Sequence, residues 1–484
     1  MVHSMTGKNS IEGSINEHNP YLHRKLYSPI DQELDILDCE VLEGHVPNDF
    51  HGSYVRNGPN PQFEPKGRHH WYDGDGMLHA VYVEDGRVSY RNKYIQTEVF
   101  EREKAAGQTL WGGLFEDPKN NPADMPIRDT SWTDVIFHNS NLLTLYYGTG
   151  VPYKVDPKTL ETIGKETFKG KLLDKVSAHA KVDEHTGEML FFDYFTKPPY
   201  MTYGVVSADG ELTTCVPINL PGARLPHDMA FTKHYSILMD LPLFHDEEAL
   251  KNGRYKIKFY RDLPARFGII PRHGTSDQLR WFEAKPCYIY HVVNSWEDGD
   301  EVVMVGCRMP EPIPDISHIK RSDWVRRMSA IRKLKAYMYY WRFNLKTGKV
   351  TEGPLDDMVS EFPVVNLSYA GRKSNYSYHV LYSPEEDVSF EGIAKYDIST
   401  GAKSEKYLFG KGRYGNEPAF APRINSKTED DGYVLTFVYD EIEDRSELLI
   451  LDAQHFSLGP IARIKMPQRV PMGAHATWVQ GDQL

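Results

Sequence analysis

Neutral imidazole is a ligand of iron, zinc and copper, and four imidazoles make a nitrogen cage that needs no sulfur. Four histidines of this 484-residue chain stand in short apolar or strand-like settings suited to that role. They are His179 in SAHAKVD, His227 in LPHDMAF, His291 in YIYHVVNSW and His475 in GAHATWV. The chain holds 20 histidines, so no one of the four carries the argument alone. A metal-bound histidine usually presents its second ring nitrogen to a carboxylate, which fixes tautomer and ring orientation. Glu361 in VSEFPVVN and Glu417 in GNEPAFAPR occupy apolar contexts in which a carboxylate needs a donor. An imidazole N–H would serve; so would a turn amide, an arginine or a lysine. His69-His70 and the CxxxH spacing of Cys287 and His291 are weaker metal candidates. The glycines of GDGM (74–77) do not make a phosphate loop, because Asp73 and Asp75 would repel phosphate; the stretch reads as a turn.

Rigid strands must hold such residues in place, and the chain is written in strands. From about residue 34 onward, short β-rich runs alternate with turn signals: LHAVYVEDGRVSYRNKY, EMLFFDYF, EVVMVGC and GYVLTFVYD are examples. Asp85-Gly86 and Asp209-Gly210 favour tight hairpins. A weak repeat of the form strand–(D/N)xxTG–strand recurs in KVDEHTGEM (181–189), RFNLKTGKV (342–350) and KYDISTGAK (395–403). From Thr347 to Thr400 is 53 positions, and a hairpin returning at about that interval suits four-stranded propeller blades. The chain has room for about seven, with a pair of β-sandwiches as the alternative. In a propeller the four histidines, separated by 48, 64 and 184 residues, come from different blades, whose inner strands converge at the central axis.

Residues 1–33 read as a flexible, polar arm and 34–484 as a single propeller domain with two cap insertions. Residues 104–126 form an irregular insertion with exposed Leu110, Trp111, Leu114 and Phe115. Residues 315–341 carry Lys320, Arg321, Arg326, Arg327, Arg332, Lys333 and Lys335. Trp324, Met328, Ile331, Leu334 and Met338 follow them at helical spacing, which predicts an amphipathic helix. The plain reading is a solvated helix and a surface loop. The sharper one is a cap whose basic, apolar face rests on an anionic membrane surface and collects a lipophilic substrate.

A net charge of −12 argues against nucleic acid as the main partner. Cys39, Cys215, Cys287 and Cys307 are scattered, which indicates neither a disulfide framework nor a zinc ribbon and suits reduced thiols. The first residues lack an apolar signal core, and no run reaches the roughly 18–20 apolar residues needed to span a bilayer. The expected setting is cytoplasmic, soluble or peripheral to a membrane.

Several long motifs, in order, resemble the carotenoid cleavage oxygenases, notably their plant-type members. These are SYVRNGPNPQFEPKGRHHWYDGDGMLHAVYVEDGRVSYRNKYIQTEVF (53–100), PARFGIIPR (264–272) and RWFEAKPCYIYHVVNSWEDGDEVV (280–303). EFP (361–363), NEPAFAPR (416–423) and DDGYVLTFVYD…RSELLILDA (430–453) continue the series, so the resemblance covers residue 35 to the C-terminus. It implies an all-β, seven-bladed β-propeller with a helical or loop cap over its top face. It also implies an iron(II) ion on the axis held by His179, His227, His291 and His475. Glu361 and Glu417 match the family's outer carboxylates, on His291 and His475 respectively. A third is expected fourteen residues after Thr133, where this chain has Tyr147, so the partner of His227 is open between the Tyr147 hydroxyl, a water and a backbone carbonyl. Thr133 matches a residue that lies beside a vacant iron position.

Four neutral ligands leave the iron dipositive and two of six octahedral positions open to O₂, with no carboxylate among the ligands. No nucleophile or acid–base pair is required. The implied activity is cleavage of a conjugated double bond of a carotenoid or apocarotenoid into two carbonyl fragments, with Fe(II) as cofactor and O₂ as co-substrate. Two alternatives stand beside it: the same chemistry on a stilbene or phenylpropenoid, and a propeller that binds apocarotenoids without turnover.

Overall fold

The computed structural model describes residues 20–484 apart from 115, 148–149, 173–174, 252–255, 314, 321–334, 385–387 and 402. The described strands make seven antiparallel sheets and one separate hairpin, an all-β seven-bladed propeller. In blades 2 to 6 the strands run from the axis outward in chain order. The innermost strands are Asp134–His138 in blade 2, Lys181–Val182 in blade 3, Ala230–Phe231 in blade 4, Tyr288–Asp298 in blade 5 and Glu361–Val364 in blade 6. Blade 7 is built around Gly432–Asp440, with Ala419–Pro422 paired along it.

Blade 1 closes the ring. Its innermost strand, Ala476–Gln480, comes from the far end of the chain and pairs with Gly52–Pro59, from Gly52 opposite Gln480 to Arg56 opposite Ala476. A second closure pairs Val41–Gly44 with Pro460–Lys465 on the outside of blade 7. His475 therefore sits at a seam where chain ends separated by over 400 residues are zipped together.

The turns follow from local chemistry. Asp85 and Gly86 both have positive φ (48° and 73°), as a two-residue hairpin loop between Gly76–Glu84 and Arg87–Tyr94 requires. In the (D/N)xxTG repeats the glycines Gly187, Gly348 and Gly401 are all left-handed. The repeat does not hold one place in the blade, however. In blade 3 it joins the first and second strands; in blades 5 and 6 it joins the third and fourth.

Between blades the sheets bury their aliphatic faces. One cluster joins blades 4 to 6 around Met304, Trp341 and Phe343, and another joins blades 1 and 7 around Phe50, Leu435 and Ile450.

Three expectations need correction. Residues 20–33 are not a loose arm: Tyr21, Leu26 and Tyr27 are buried in the core cluster beside Trp71 and Tyr378, because their aromatic rings find an apolar site there. Trp111 is buried, its indole N–H donating to the Met125 carbonyl at 2.7 Å and its ring under Arg102, while Leu114 stays exposed. The helix read over 315–341 ends differently: Tyr337–Asn344 is a strand of blade 5, with Met338, Trp341 and Phe343 buried. Residues 321–334, the basic heart of that reading, lie outside the described residues. Among the described residues, no helix is long and apolar enough to cross a membrane.

Candidate metal centre

Each blade brings one residue to the axis, at or beside its innermost strand. In chain order these are Thr133, His179, His227, His291, Glu361, Glu417 and His475, from blades 2 to 7 and then blade 1. The four histidine rings meet, five of their six pairs having ring centroids 4.6 to 5.3 Å apart. Ring nitrogens of His179, His227 and His291 lie within 4.8 Å of one another. His475 closes the group, 4.6 Å from His179 and 4.9 Å from His291.

Two carboxylates back this group. Glu361 Oε2 is 2.5 Å from His291 Nδ1, and Glu417 Oε1 is 3.0 Å from His475 Nδ1. Each also holds main chain: Glu361 accepts the Phe362 amide at 2.7 Å and Glu417 the Ala476 amide at 2.5 Å. Burial pushes both carboxyls up, Glu361 to about 8. A cation in the centre would draw them back to the ionised form. Burial also keeps His179, His227 and His291 neutral, as ligands must be; at His475 it is opposed by Glu417, which raises that imidazole.

Buried polar atoms without partners are rare in folded proteins. His179 Nε2 and His291 Nε2 are both buried and unpartnered. Two such nitrogens in a cluster of four imidazoles, one of them opposite the Glu361 carboxylate, fit a nitrogen-bound metal ion. Cys287 offers nothing: it lies in the apolar core, with burial pushing its thiol up to about 12. His70 caps a turn, its Nδ1 accepting the Tyr72 amide at 3.1 Å.

His179 is held in strain. Its φ of 67° is left-handed, and its amide is tied to Asp134 Oδ2 at 3.0 Å. A left-handed L-residue costs roughly 1–2 kcal/mol, a strain that clusters at functional sites. In metal-free protein, His179→Gly is therefore expected to be more stable than His179→Ala by about 1 kcal/mol. Urea unfolding of the two variants checks this, and an alanine variant of equal or greater stability would count against the strain.

The residue expected to hold His227 does something else. The Tyr147 hydroxyl donates to the Pro226 carbonyl at 3.0 Å, and its ring packs on His227 with centroids 4.4 Å apart. Thr133 Oγ1 accepts the Tyr147 amide at 3.1 Å, and the Thr133 carbonyl accepts the His475 amide at 3.4 Å.

Sequence reasoning missed four neighbours. Asp134 and Asp228 each follow a site residue directly; Asp134 ties blade 2 to the His179 amide, and Asp228 accepts the Val292 amide at 2.7 Å. Asp228 also pairs with Lys181 at 2.7 Å, linking blades 3, 4 and 5. The recurrent acid after Thr133 and His227 was the available signal. Phe362, itself at φ 49°, packs its ring against His291 and His475 at 4.7 and 5.1 Å. Tyr290 sets its ring edge-on to His227 at 4.7 Å. A cavity of about 190 Å³ between the inner strands is lined by His179, His291, His475, Asp134, Lys181 and Asp228.

Fold and site define a β-propeller with an imidazole centre on its axis. Comparison with known proteins agrees: the chain belongs to the family described as retinal pigment epithelial membrane protein, the carotenoid cleavage oxygenases, which it matches over residues 27–480. It is 35% identical to a Pisum sativum carotenoid 9,10(9',10')-cleavage dioxygenase 1, over 95% of this chain and 90% of the relative. It is 30% identical to the isoeugenol monooxygenase of Pseudomonas nitroreducens, over 96% of this chain and 99% of that one. The crystal structure of Pseudomonas brassicacearum lignostilbene dioxygenase superposes with a TM-score of 0.85 at 30% identity, covering 96% of this chain and 99% of its own. The chain is a dioxygenase-type enzyme supporting oxygenase cleavage chemistry.

Proposed function

We propose that this protein is a non-haem iron(II) dioxygenase that cleaves a conjugated C=C bond of a carotenoid or apocarotenoid with O₂, giving two carbonyl products. The observation that carries the reading is the meeting of His179, His227, His291 and His475, with the Nε2 atoms of His179 and His291 buried and unpartnered. Those four side chains would hold the metal, and iron(II), when bound, supplies the redox chemistry that activates O₂. The chain's own residues position and protect. Glu361 and Glu417 accept the Nδ1 protons of His291 and His475 and so aim the opposite nitrogens inward. Phe362 covers two of the imidazoles with an apolar ring, excluding water from that side. Trp132, next to Thr133, is buried and stacks on the half-exposed Tyr72 at 5.0 Å, bracing the chain beside the centre. Residues 104–126, with Leu114 exposed, are the cap that receives it, in contact with a membrane surface where the substrate is dissolved there.

A second substrate class, the hydroxystilbenes, is favoured by the likeness to the lignostilbene dioxygenase over nearly the whole of both chains. The same cage and reaction would serve it. Anaerobically iron-loaded protein is incubated in separate tubes with β-carotene, an apocarotenal and a hydroxystilbene, air is admitted, and products are followed by mass. The expected result is iron- and O₂-dependent formation of aldehydes from the carotenoid or apocarotenal, their masses naming the bond. Turnover of the stilbene alone would assign the second class, and turnover of none by iron-loaded protein would overturn the proposal.

A further inference from the structure

His291 and His475 each have a carboxylate on Nδ1, whereas His227 has none and its Nδ1 is buried without a partner. Something else must fix that ring. The residues around it are three tyrosines, and they act on two different parts of the histidine. Two hydroxyls grip the backbone leading into it: Tyr288 donates to the Leu225 carbonyl at 2.7 Å and Tyr147 to the next carbonyl, Pro226, at 3.0 Å. Proline at 226 fixes φ and so passes the grip on to His227 with little slack. Two rings then bracket the imidazole: Tyr147 at 4.4 Å and 45°, and Tyr290 edge-on at 4.7 Å and 87°. Tyr288 and Tyr290 share a face of the blade 5 strand by two-residue alternation and pack edge-to-face at 5.0 Å, so the bracket is itself braced.

We infer that Tyr147, Tyr288 and Tyr290 are the positioning residues of His227, replacing a carboxylate on its ring nitrogen by a backbone clamp and an aromatic bracket. The inference rests on the metal reading of the four histidines. It has an electrostatic consequence: the centre is backed by two acidic partners rather than three, so a bound dication is offset by one negative charge fewer.

Cobalt(II) is the probe, loaded in place of iron, with its visible absorption reporting ligand geometry and its loss to excess EDTA reporting the release rate. Wild-type protein is expected to take up one cobalt per chain and His227→Ala to lose it. Removing one hydroxyl grip, in Tyr147→Phe or Tyr288→Phe, is expected to speed release about three- to tenfold. Removing a ring, in Tyr147→Leu or Tyr290→Leu, is expected to speed release roughly ten- to a hundredfold and to alter the cobalt spectrum. Thermal melting of the metal-free variants identifies any that fail to fold, and the two milder Phe variants keep the test alive in that event. If wild-type holds cobalt and His227→Ala does not, yet all four tyrosine variants release it at the wild-type rate with an unchanged spectrum, the tyrosine inference is overturned alone. If wild-type takes up no cobalt, or His227→Ala holds it as tightly, the metal reading falls and the inference with it.

Discussion

His291→Ala protein is expected to fold, to lose its metal on gel filtration against a mild chelator, and to show no O₂-dependent cleavage of any substrate. His291 touches all three other imidazoles, with ring centroids 5.1, 5.3 and 4.9 Å from His179, His227 and His475. Its removal takes away one of four nitrogen donors and opens a gap beside two others. Loss of an outer hydrogen-bond partner costs roughly 10–100-fold in metal affinity, and loss of the donor itself must cost more. The variant should still be soluble, because Glu361, left without its imidazole, needs no counter-charge: burial already pushes that carboxyl up to about 8, so it sits neutral in the vacated space near pH 7. Metal content by mass spectrometry and the thermal midpoint are measured on one sample. A variant that keeps a full equivalent of metal would count against His291 as a ligand.

How far such a centre can be read from sequence depends on which interactions are local. Six of the seven axial residues, the four histidines and the two glutamates, were visible as polar letters in apolar or strand-like contexts. Thr133 came only from the family resemblance, and Glu361 and Glu417 do lie against His291 and His475. The turn glycines were visible too, because a left-handed residue after Thr constrains the amino acid at that position. What strand each turn joins was not, since the same DxxTG hairpin serves the inner edge of blade 3 and the outer edge of blade 6. Within the strand Tyr337–Asn344, residues 337–341 read as the end of a helix because Met338 happens to fit a spacing of four, while 342–344 read as strand. The run's aromatic density and the alternate burial of Tyr339, Trp341 and Phe343 belong to a strand. Tyr147 shows the other limit. Counting from Thr133 finds the position, but what the side chain does depends on where blade 4 places the Leu225 and Pro226 carbonyls, and that information lies 79 residues away.

Arg128→Met is expected to cost about 3–5 kcal/mol of stability near pH 7.5, the range for breaking a buried ion pair by removing one partner. GDGM reads from sequence as a turn; the turn is Trp71–Asp73 capped by Gly74, Gly76 and Met77 already open a strand, and what holds the turn is not local. Arg128 Nη2 reaches Asp75 Oδ1 at 2.8 Å and Glu103 Oε2 at 2.7 Å, and its Nη1 donates to the Asp73 carbonyl. All three charged side chains are largely buried. The carboxylates in turn organise backbone: Asp75 accepts the Gln62 amide at 3.0 Å, Glu103 the Leu110 amide at 2.9 Å, and Asp73 the His70 and Leu114 amides at 2.7 and 2.8 Å. One guanidinium thus ties the 69–75 turn to the helix Glu98–Ala106 and the insertion after it, beside the Tyr72–Trp132 stack that leads to Thr133. Methionine keeps the bulk and removes the charge, leaving two acids buried together. Burial raises the Asp75 carboxyl, and Arg128 is what opposes it. In the variant that opposition is gone, so the folded-state pKa rises further above the unfolded value. The penalty is then full at high pH and shrinks as protonation neutralises the pair. Urea unfolding of both proteins at pH 7.5 and pH 5 reads this directly, with a smaller gap expected at pH 5. A gap below about 1 kcal/mol at pH 7.5, the scale of an exposed ion pair, would show that this cation is not what holds the turn over the site.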